Sequence, residues 1–345
     1  MAQSQANGDT VLVTGGSGFV AGWCIIELLR GGYSVRTTVR SLAREAEVRS
    51  SLAPQVDLGD RLLFFQADLM NDEGWDAAIE GCKYVLHVAS PFPPHQPKHE
   101  DELIVPAREG TLRVLKASLA AGVERIVVTS SVAAIDFPGE GPADRKLTED
   151  DWADPSDPKI SAYAKSKTVA ELAAWELVDK TGDRNRLATV NPGAVIGPVL
   201  SEDRSTSIQV VERMLKGEPA VPKVGFSLVD VRDIASLQLA AMTQPAAGGQ
   251  RFIGVADFAW MAQVAETLRE RMGDAAKKVP RRTAPNFLIK VMGLFDGSVR
   301  SIVSMLGVKT EYSAANAKTK LGWAPRPLEE SIVDCAQSLI DQGIV

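Results

Sequence analysis

The stretch Val11 to Glu27, VLVTGGSGFVAGWCIIE, restricts what this chain can fold into more than any other. A β-branched apolar run, Thr10 to Thr14, predicts a buried strand. Gly15-Gly16-Ser17-Gly18 ends it, and an apolar helix is expected from about Val20 to Arg30. Strand, glycine turn, helix is the context in which a glycine motif carries chemical information. Gly15 can take a tight turn, and Gly18 has no Cβ to hold a phosphate away from the backbone. Ala21 is small enough for the helix to pack on the strand. The free amides at the helix start then face an anion, as a dinucleotide pyrophosphate requires.

Alternation continues from there. Ser34–Val39 reads as a second strand, Leu42–Ala53 as a helix and Leu62–Ala67 as a third strand. Asp72–Glu80 suits a short helix, Tyr84–Val88 a fourth strand, Glu102–Ala121 a long helix and Arg125–Thr129 a fifth strand. The helix from about Ser161 to Lys180 precedes a sixth strand, Arg186–Val190. Strands alternating with helices imply parallel β-α-β units. The expected fold class is α/β: a doubly wound parallel, Rossmann-type sheet with a smaller, mostly helical C-terminal substrate domain. Beyond Pro192 short helices, prolines and glycines dominate. Residues 1–191 with 226–250 are therefore expected to form the dinucleotide-binding domain, and 192–225 with 251–345 the substrate domain.

Position along this pattern selects the cofactor contacts. Arg40 follows the second strand, 22 residues after Gly18, where an acidic residue would hold a ribose 2′-hydroxyl. An arginine favours a 2′-phosphate instead, so NADP(H) is the expected cofactor, with Arg44 a further cation nearby. Asp68 lies where the adenine end would rest, and Ala89-Ser90 forms a small-residue exit beside the cofactor ribose.

The chain has 345 residues, a net charge of −6 and no standout basic tract, which excludes nucleic acid as the expected partner. Cys24, Cys82 and Cys335 are odd in number and far apart, so they read as reduced thiols of a cytoplasmic protein. The start, MAQSQANGD, has no apolar signal region. The longest apolar stretch, Pro285 to Val308, is broken by Lys290, Asp296 and Arg300. It reads as a buried or pocket-lining helix pair, and no membrane partner is expected. His95 and His99 lie four apart among Pro93, Pro94 and Pro97, which disfavours a helix, so no metal site is expected and the loop reads as a lid.

The fifth strand ends in Thr129-Ser130-Ser131, and the next long helix carries Tyr163 and Lys167. Four residues apart, these two share one helix face. A phenol of pKa about 10 is a poor proton donor at neutral pH. An ammonium beside it favours the ionised form and brings it toward the working range. Tyr163 can then serve as general acid to a carbonyl oxygen, a role worth on the order of 10²–10⁴ in rate. Ser131 sits at the carboxyl end of its strand, where open α/β sheets bind ligands. Ser130 is the neighbouring candidate, and strand alternation lets only one of the two line the pocket.

With these residues in order, the chain resembles the extended short-chain dehydrogenase/reductase superfamily. It is most similar to its dihydroflavonol 4-reductase, cinnamoyl-CoA reductase and NADPH-dependent aldehyde/carbonyl reductase branch. The motifs are TVLVTGGSGFVAGW, Val39-Arg40, FQADL at 65–69, HVASP at 87–91, VTSSVA at 128–133, YAKSK at 163–167, NPGAVIGP at 191–198 and FSLVDVRDIA at 226–235. The resemblance implies that Ser131, Tyr163 and Lys167 are catalytic, with Tyr163 and Lys167 also on the cofactor. It implies pyrophosphate contacts at Gly15, Gly18, Phe19 and Val20, a 2′-phosphate contact at Arg40, and adenine contacts at Asp68 and Leu69. Ala89 and Ser90 lie on the ribose side, and Pro192 and Val195 form the wall near the nicotinamide. Substrate is expected against Phe92, Val132, Ala133, Phe137 and Ile196, with Val195, Ile208 and Phe226 nearby.

The expected activity is NADPH-dependent reduction of a small, largely apolar aldehyde or ketone by direct hydride transfer, by a monomer or homodimer. The alternative is an epimerase or dehydratase acting on a nucleotide sugar. Two departures weaken it: Ala107 replaces the Asn of N-V-x-G-T, and Ala194-Val195-Ile196-Gly197-Pro198 replaces N-V-Y-G-P. The stretch around Asp136-Phe137-Pro138 departs from the plant reductases and speaks against a flavonoid substrate. A non-catalytic dinucleotide sensor would have no use for Tyr163 and Lys167.

Overall fold

The computed structural model describes residues 8–90, 99–136, 145–201, 205–295 and 297–345. The first half winds as β1 (Thr10–Val13), α1 (Phe19–Arg30), β2 (Ser34–Val39), α2 (Glu45–Leu52), β3 (Leu62–Gln66) and α3 (Trp75–Ile79). It continues through β4 (Tyr84–His87), α4 (Asp101–Ala120), β5 (Arg125–Thr129), α5 (Ala162–Thr181) and β6 (Leu187–Pro192). Then follow β7 (Ala194–Ile196), α6 (Thr206–Lys216), β8 (Val221–Pro222), β9 (Gly225–Asp230), α7 (Val231–Thr243), β10 (Arg251–Gly254) and β11 (Asp257–Trp260). The chain closes with α8 (Met261–Met272), β12 (Thr283–Ala284), α9 (Asn286–Met292), α10 (Gly297–Ile302), α11 (Ala315–Leu321) and α12 (Leu328–Asp341).

Seven strands form one parallel sheet in the order β10-β6-β5-β4-β1-β2-β3. The winding reverses between β1 and β4, and ligands of such sheets sit at that reversal, outside the carboxyl ends of the strands. A parallel sheet covered on both faces needs continuous apolar strands. Val11, Leu12 and Val13 meet this with no exposed surface at all. Each such side chain contributes roughly 1.5–3 kcal/mol of burial.

β10 moves the expected domain boundary. Arg251–Gly254 pairs with Thr189–Pro192 of β6 and so belongs to the sheet, not to the substrate domain. The four-residue run RFIG was too short to register as a strand, but all four residues are buried. α11 packs on β10 and α7, so this late segment also returns to the sheet. β9, expected in the sheet domain, instead joins β7 and β11 in a separate three-stranded sheet. That sheet, α6, α8 and α12 enclose a second apolar core around Ile208, Met214 and Leu268.

Ionic contacts clamp the two parts together. Asp230, fully buried, accepts two hydrogen bonds from the Arg232 guanidinium, which also reaches Asp334 on α12 at 2.7 Å. Arg326 forks onto Asp233 at 3.0 Å through both Nε and a terminal nitrogen.

The expected buried helix pair within Pro285–Val308 is corrected. In α9 only Ile289 is buried, while Phe287 is 71% exposed, and beyond the helix Leu294 is 69% and Phe295 87% exposed. A seven-residue helix that is apolar nearly all round can turn only a narrow stripe inward, so the rest faces out. Among the described residues no helix is long and apolar enough to cross a membrane. Cys24, Cys82 and Cys335 are free and buried, and burial raises all three thiols, Cys82 to about 11 and Cys335 to about 12.

Candidate active site

The glycine turn closes on neighbouring strands. Gly15 has φ +74°, and a Cβ there would lie 2.9 Å from that of Ala89. Its N–H donates to Thr38 Oγ1 at 3.0 Å, and the Gly16 N–H donates to the Thr38 carbonyl at 2.9 Å. Gly16, which the sequence reasoning passed over, is the most constrained: a Cβ would sit 2.2 Å from Thr37 Oγ1. Gly18 caps α1 with no side-chain hydrogen bond, and its virtual Cβ meets only the Gly15 carbonyl at 3.2 Å. A shallow cleft runs over Gly16, Ser17, Gly18 and Phe19 to Leu52 and Leu200, while Val20 packs against the main core. A cradle that any Cβ would fill, beside uncapped helix amides, fits a pyrophosphate.

At the edge of β2, Arg40 is exposed and has no ion-pair partner among the described residues. Arg44 reaches back to Ser17 Oγ at 3.1 Å and pairs with Glu47 at 2.8 Å. The Arg44 guanidinium therefore stands at the outer side of the turn, with exposed Arg40 four residues earlier in the chain. Asp68 turns its carboxylate to the Met70 N–H at 2.9 Å. Leu69 packs so closely on α4 that a Cβ on Gly110 would lie 2.9 Å from it.

Thr14 Oγ1 accepts from the N–H groups of Val88 at 3.1 Å and Ala89 at 2.9 Å. With both lone pairs in use, its proton goes to His87 Nδ1, 2.9 Å away. This fixes His87 as the Nε2–H tautomer. Burial lowers the imidazole pKa to about 3, and the Lys167 ammonium pushes the same way. This lock holds the ends of β1 and β4 and sets the path of Ala89 and Ser90. The sequence reasoning missed it, because a lone His in an apolar strand carries no motif.

Tyr163 and Lys167 lie one turn apart in α5, whose start is capped by Ser161 Oγ accepting from the Ala164 N–H at 3.1 Å. Lys167 is buried, with Nζ 6.0 Å from the Tyr163 ring centre and 3.5 Å from the Thr129 carbonyl. α5 packs directly on the turn Val132–Ala134 that follows Ser131. Ser131 Oγ accepts from the Ala133 N–H at 3.1 Å, which leaves its proton to donate. Ser130 is spoken for: its hydroxyl donates to Glu171 Oε2 at 2.5 Å. Of the two serines, only Ser130 is thus committed to Glu171.

Glu171 is the larger omission of the sequence reasoning. It continues the Tyr163–Lys167 face by one more turn and is 1% exposed. It accepts from Ser130, from Thr189 at 2.9 Å, from Asn191 Nδ2 at 2.8 Å and from Arg251 Nε at 2.8 Å. Asn191 Nδ2 also donates to the Ser131 carbonyl at 3.1 Å, so the network ends on the candidate catalytic serine. Arg251 is sandwiched as well, its guanidinium 3.5 Å from the Trp152 ring centre. The four-residue spacing 163, 167, 171 was the available signal.

Beyond Pro192 and Gly193 the chain enters an apolar cavity of about 110 Å³ between β7, α6, β9 and α8. Ala194, Ile196, Val210, Phe226, Leu228 and Met261 line it. Ile196 and Phe226, which the sequence places against substrate, both line this cavity. Val132 and Ala133 are not in its lining; they follow Ser131 against α5. Ile208 is wholly buried in the second core, and Val195 packs toward the first. Phe92, Phe137, His95 and the proline-rich loop lie outside the described residues. Among the described residues no cluster of His, Cys, Asp or Glu has the makings of a metal site.

Comparison with known proteins agrees with this geometry. Residues 11–255 match the model of the NAD dependent epimerase/dehydratase family. The chain is 33% identical to cinnamoyl-CoA reductase CAD2 of Medicago truncatula over 76% of its own length and 81% of that protein. It is 32% identical to tetraketide alpha-pyrone reductase 1 of Arabidopsis thaliana, over 98% and 97% of the two chains. Yeast methylglyoxal/isovaleraldehyde reductase Gre2, solved with NADPH, superposes with a TM-score of 0.81 at 26% identity, covering 97% of this chain and all of that one. The chain therefore belongs to the NAD dependent epimerase/dehydratase family, the extended short-chain dehydrogenases/reductases, and is an oxidoreductase of that family.

Proposed function

We propose that the protein is an NADPH-dependent reductase of small, apolar aldehydes or ketones. The carrying observation is the convergence of Tyr163 and Lys167, on the inward face of α5, with Ser131 at the carboxyl edge of the sheet. The cofactor fits the cradle at Gly15 and Gly16, with Arg40 and Arg44 as cations for a 2′-phosphate. When bound, it supplies the hydride that reduces the carbonyl carbon.

The chain's own residues supply the rest. Ser131 donates its free proton in a hydrogen bond to the carbonyl oxygen and orients it. Tyr163 transfers its phenolic proton to that oxygen as the alkoxide forms, which yields the alcohol. The Lys167 ammonium, 6.0 Å from the Tyr163 ring centre, holds the cofactor ribose. Glu171 and Asn191 fix the backbone at Ser131, so the hydroxyl needs no reorganisation during reaction. Ile196, Phe226 and Met261 offer the substrate an apolar wall. A nucleotide sugar would need cations for its second pyrophosphate, and among the described residues none lines the cavity.

The test is NADPH oxidation at 340 nm with a panel of aryl and branched alkyl aldehydes and ketones, with UDP-sugars as competitors. Turnover of apolar carbonyl compounds, unaffected by UDP-sugars, is expected. Tight inhibition by a UDP-sugar, with no carbonyl compound turned over, would replace this reading with the epimerase/dehydratase alternative.

A further inference from the structure

The segment from Lys277 to Lys309 has a charge and a surface unlike the rest of the protein. It carries seven Lys and Arg against one acidic residue, Asp296, within a chain whose net charge is −6. Lys277, Lys278, Arg281, Arg282 and Lys290 are exposed and pair with no carboxylate among the described residues. The same stretch holds six of the twelve large exposed apolar side chains among the described residues. Phe287 is 71%, Leu288 44%, Val291 50%, Met292 45%, Leu294 69% and Phe295 87% exposed.

The hairpin is held in this form from within. Gly293 is buried against Val303 and Arg300, and Arg300 donates to the carbonyls of Gly293 at 2.8 Å and Leu294 at 2.9 Å. Further along, Ile302, Met305 and Leu306 pack into the second core. At 100° per residue Phe287, Lys290 and Val291 share the outward face of α9, opposite Ile289, and Leu294 and Phe295 follow it, exposed. An anchored base thus presents an exposed apolar tip, with cations before it in the chain and Lys290 among its apolar side chains.

We propose that the α9–α10 hairpin docks the protein on an anionic lipid surface, Phe287, Leu294 and Phe295 entering the interface while the cations engage lipid headgroups. Exposed apolar patches mark interaction sites, and apolar anchors combined with Lys and Arg are how a protein lies on a membrane without spanning it. A second copy of this chain is the poorer occupant, because a two-fold contact across the tip would oppose two sets of like charges. The arrangement is independent of turnover, since none of its residues lines the cavity or the glycine turn.

Vesicle co-sedimentation of the full chain tests this, comparing phosphatidylcholine alone with phosphatidylcholine containing phosphatidylserine. Sedimentation velocity without vesicles runs alongside. Binding is expected only with phosphatidylserine, and it should weaken as salt rises. Arg281→Glu with Arg282→Glu, and separately Phe287→Ser with Phe295→Ser, should each lower partitioning about tenfold or more. Circular dichroism and NADPH oxidation in solution should be unchanged in both variants. No binding, or equal binding to both vesicle types, would overturn the proposal. So would a dimer in solution that the Phe287→Ser, Phe295→Ser variant dissociates, which would assign the tip to a second copy.

Discussion

His87 gives the sharpest physical prediction, because its protonation state is fixed by two independent features. Thr14 Oγ1 points its proton at Nδ1, and the ring is wholly enclosed. The folded pKa is about 3, against the usual 6.5 of a histidine. Between these values the unfolded chain binds a proton that the folded protein refuses. Stability is therefore fully present above pH 6.5 and falls as the pH drops toward 3. Each unit below 6.5 removes about 1.4 kcal/mol, so the full displacement amounts to about 5 kcal/mol, and the part between pH 6.5 and 4.5 to about 2 kcal/mol. His87→Asn keeps an acceptor near the Nδ1 position but cannot take up a proton. Urea unfolding followed by tryptophan fluorescence at several pH values should give wild-type and variant curves that converge on acidification. The wild type loses about 2 kcal/mol more than the variant from pH 6.5 to 4.5. Carboxylates titrate in both proteins and cancel in the difference. Parallel curves would refute the reasoning and place a proton on folded His87.

Three further outcomes are expected. Tyr163→Phe should lower kcat by about 10²-fold or more while NADPH affinity, read by fluorescence titration, stays within a few-fold; retention of more than a tenth of the rate would remove Tyr163 as the acid. Arg40→Asp should erase or reverse a wild-type preference for NADPH over NADH in kcat/KM, and a wild type that prefers NADH would contradict the role given to Arg40. Glu171→Ala leaves the Arg251 guanidinium buried without its carboxylate, so a loss of about 3–5 kcal/mol in unfolding free energy is expected, with a change below 1 kcal/mol counting against the network.

The parts of the fold legible in the sequence were those whose signal is local. β2 and β5 match their expected bounds, because β-branched runs between glycines and charged residues leave little freedom. The spacing of Tyr163 and Lys167 on one helix face followed from helical geometry alone. What stayed hidden depends on partners distant in the chain. β10 becomes a strand because β6 offers a free edge, 62 residues earlier, for Arg251–Gly254 to pair with. Glu171 looks like an ordinary helix glutamate until Asn191 and Arg251 reach it. Gly16 looks redundant beside Gly15 until Thr37 is seen against it. The outward apolar face of α9 misled for a related reason: apolar composition states a preference for burial, but the neighbours decide whether a surface exists to be buried against.

Gly193 has a bearing on how this enzyme can acquire new substrates. It is the one residue between β6 of the large sheet and β7 of the small one, and a Cβ on it would lie 2.2 Å from the Ser227 carbonyl. The backbones touch there, so Ala194 and Ile196 of the cavity are coupled through three and five peptide units to Asn191, and through Asn191 to Ser131. Enlarging the β7 wall is expected to shift Asn191 and with it Ser131, whereas Val210 on α6 and Met261 at the start of α8 lie outside the β6–β7 connection. Selection for a bulkier substrate is channelled to those two helices, and libraries built on Val210 and Met261 should yield altered scope with rate retained. The close approach of two sheets thus divides the cavity into a wall that evolution must leave alone and a wall it is free to redraw.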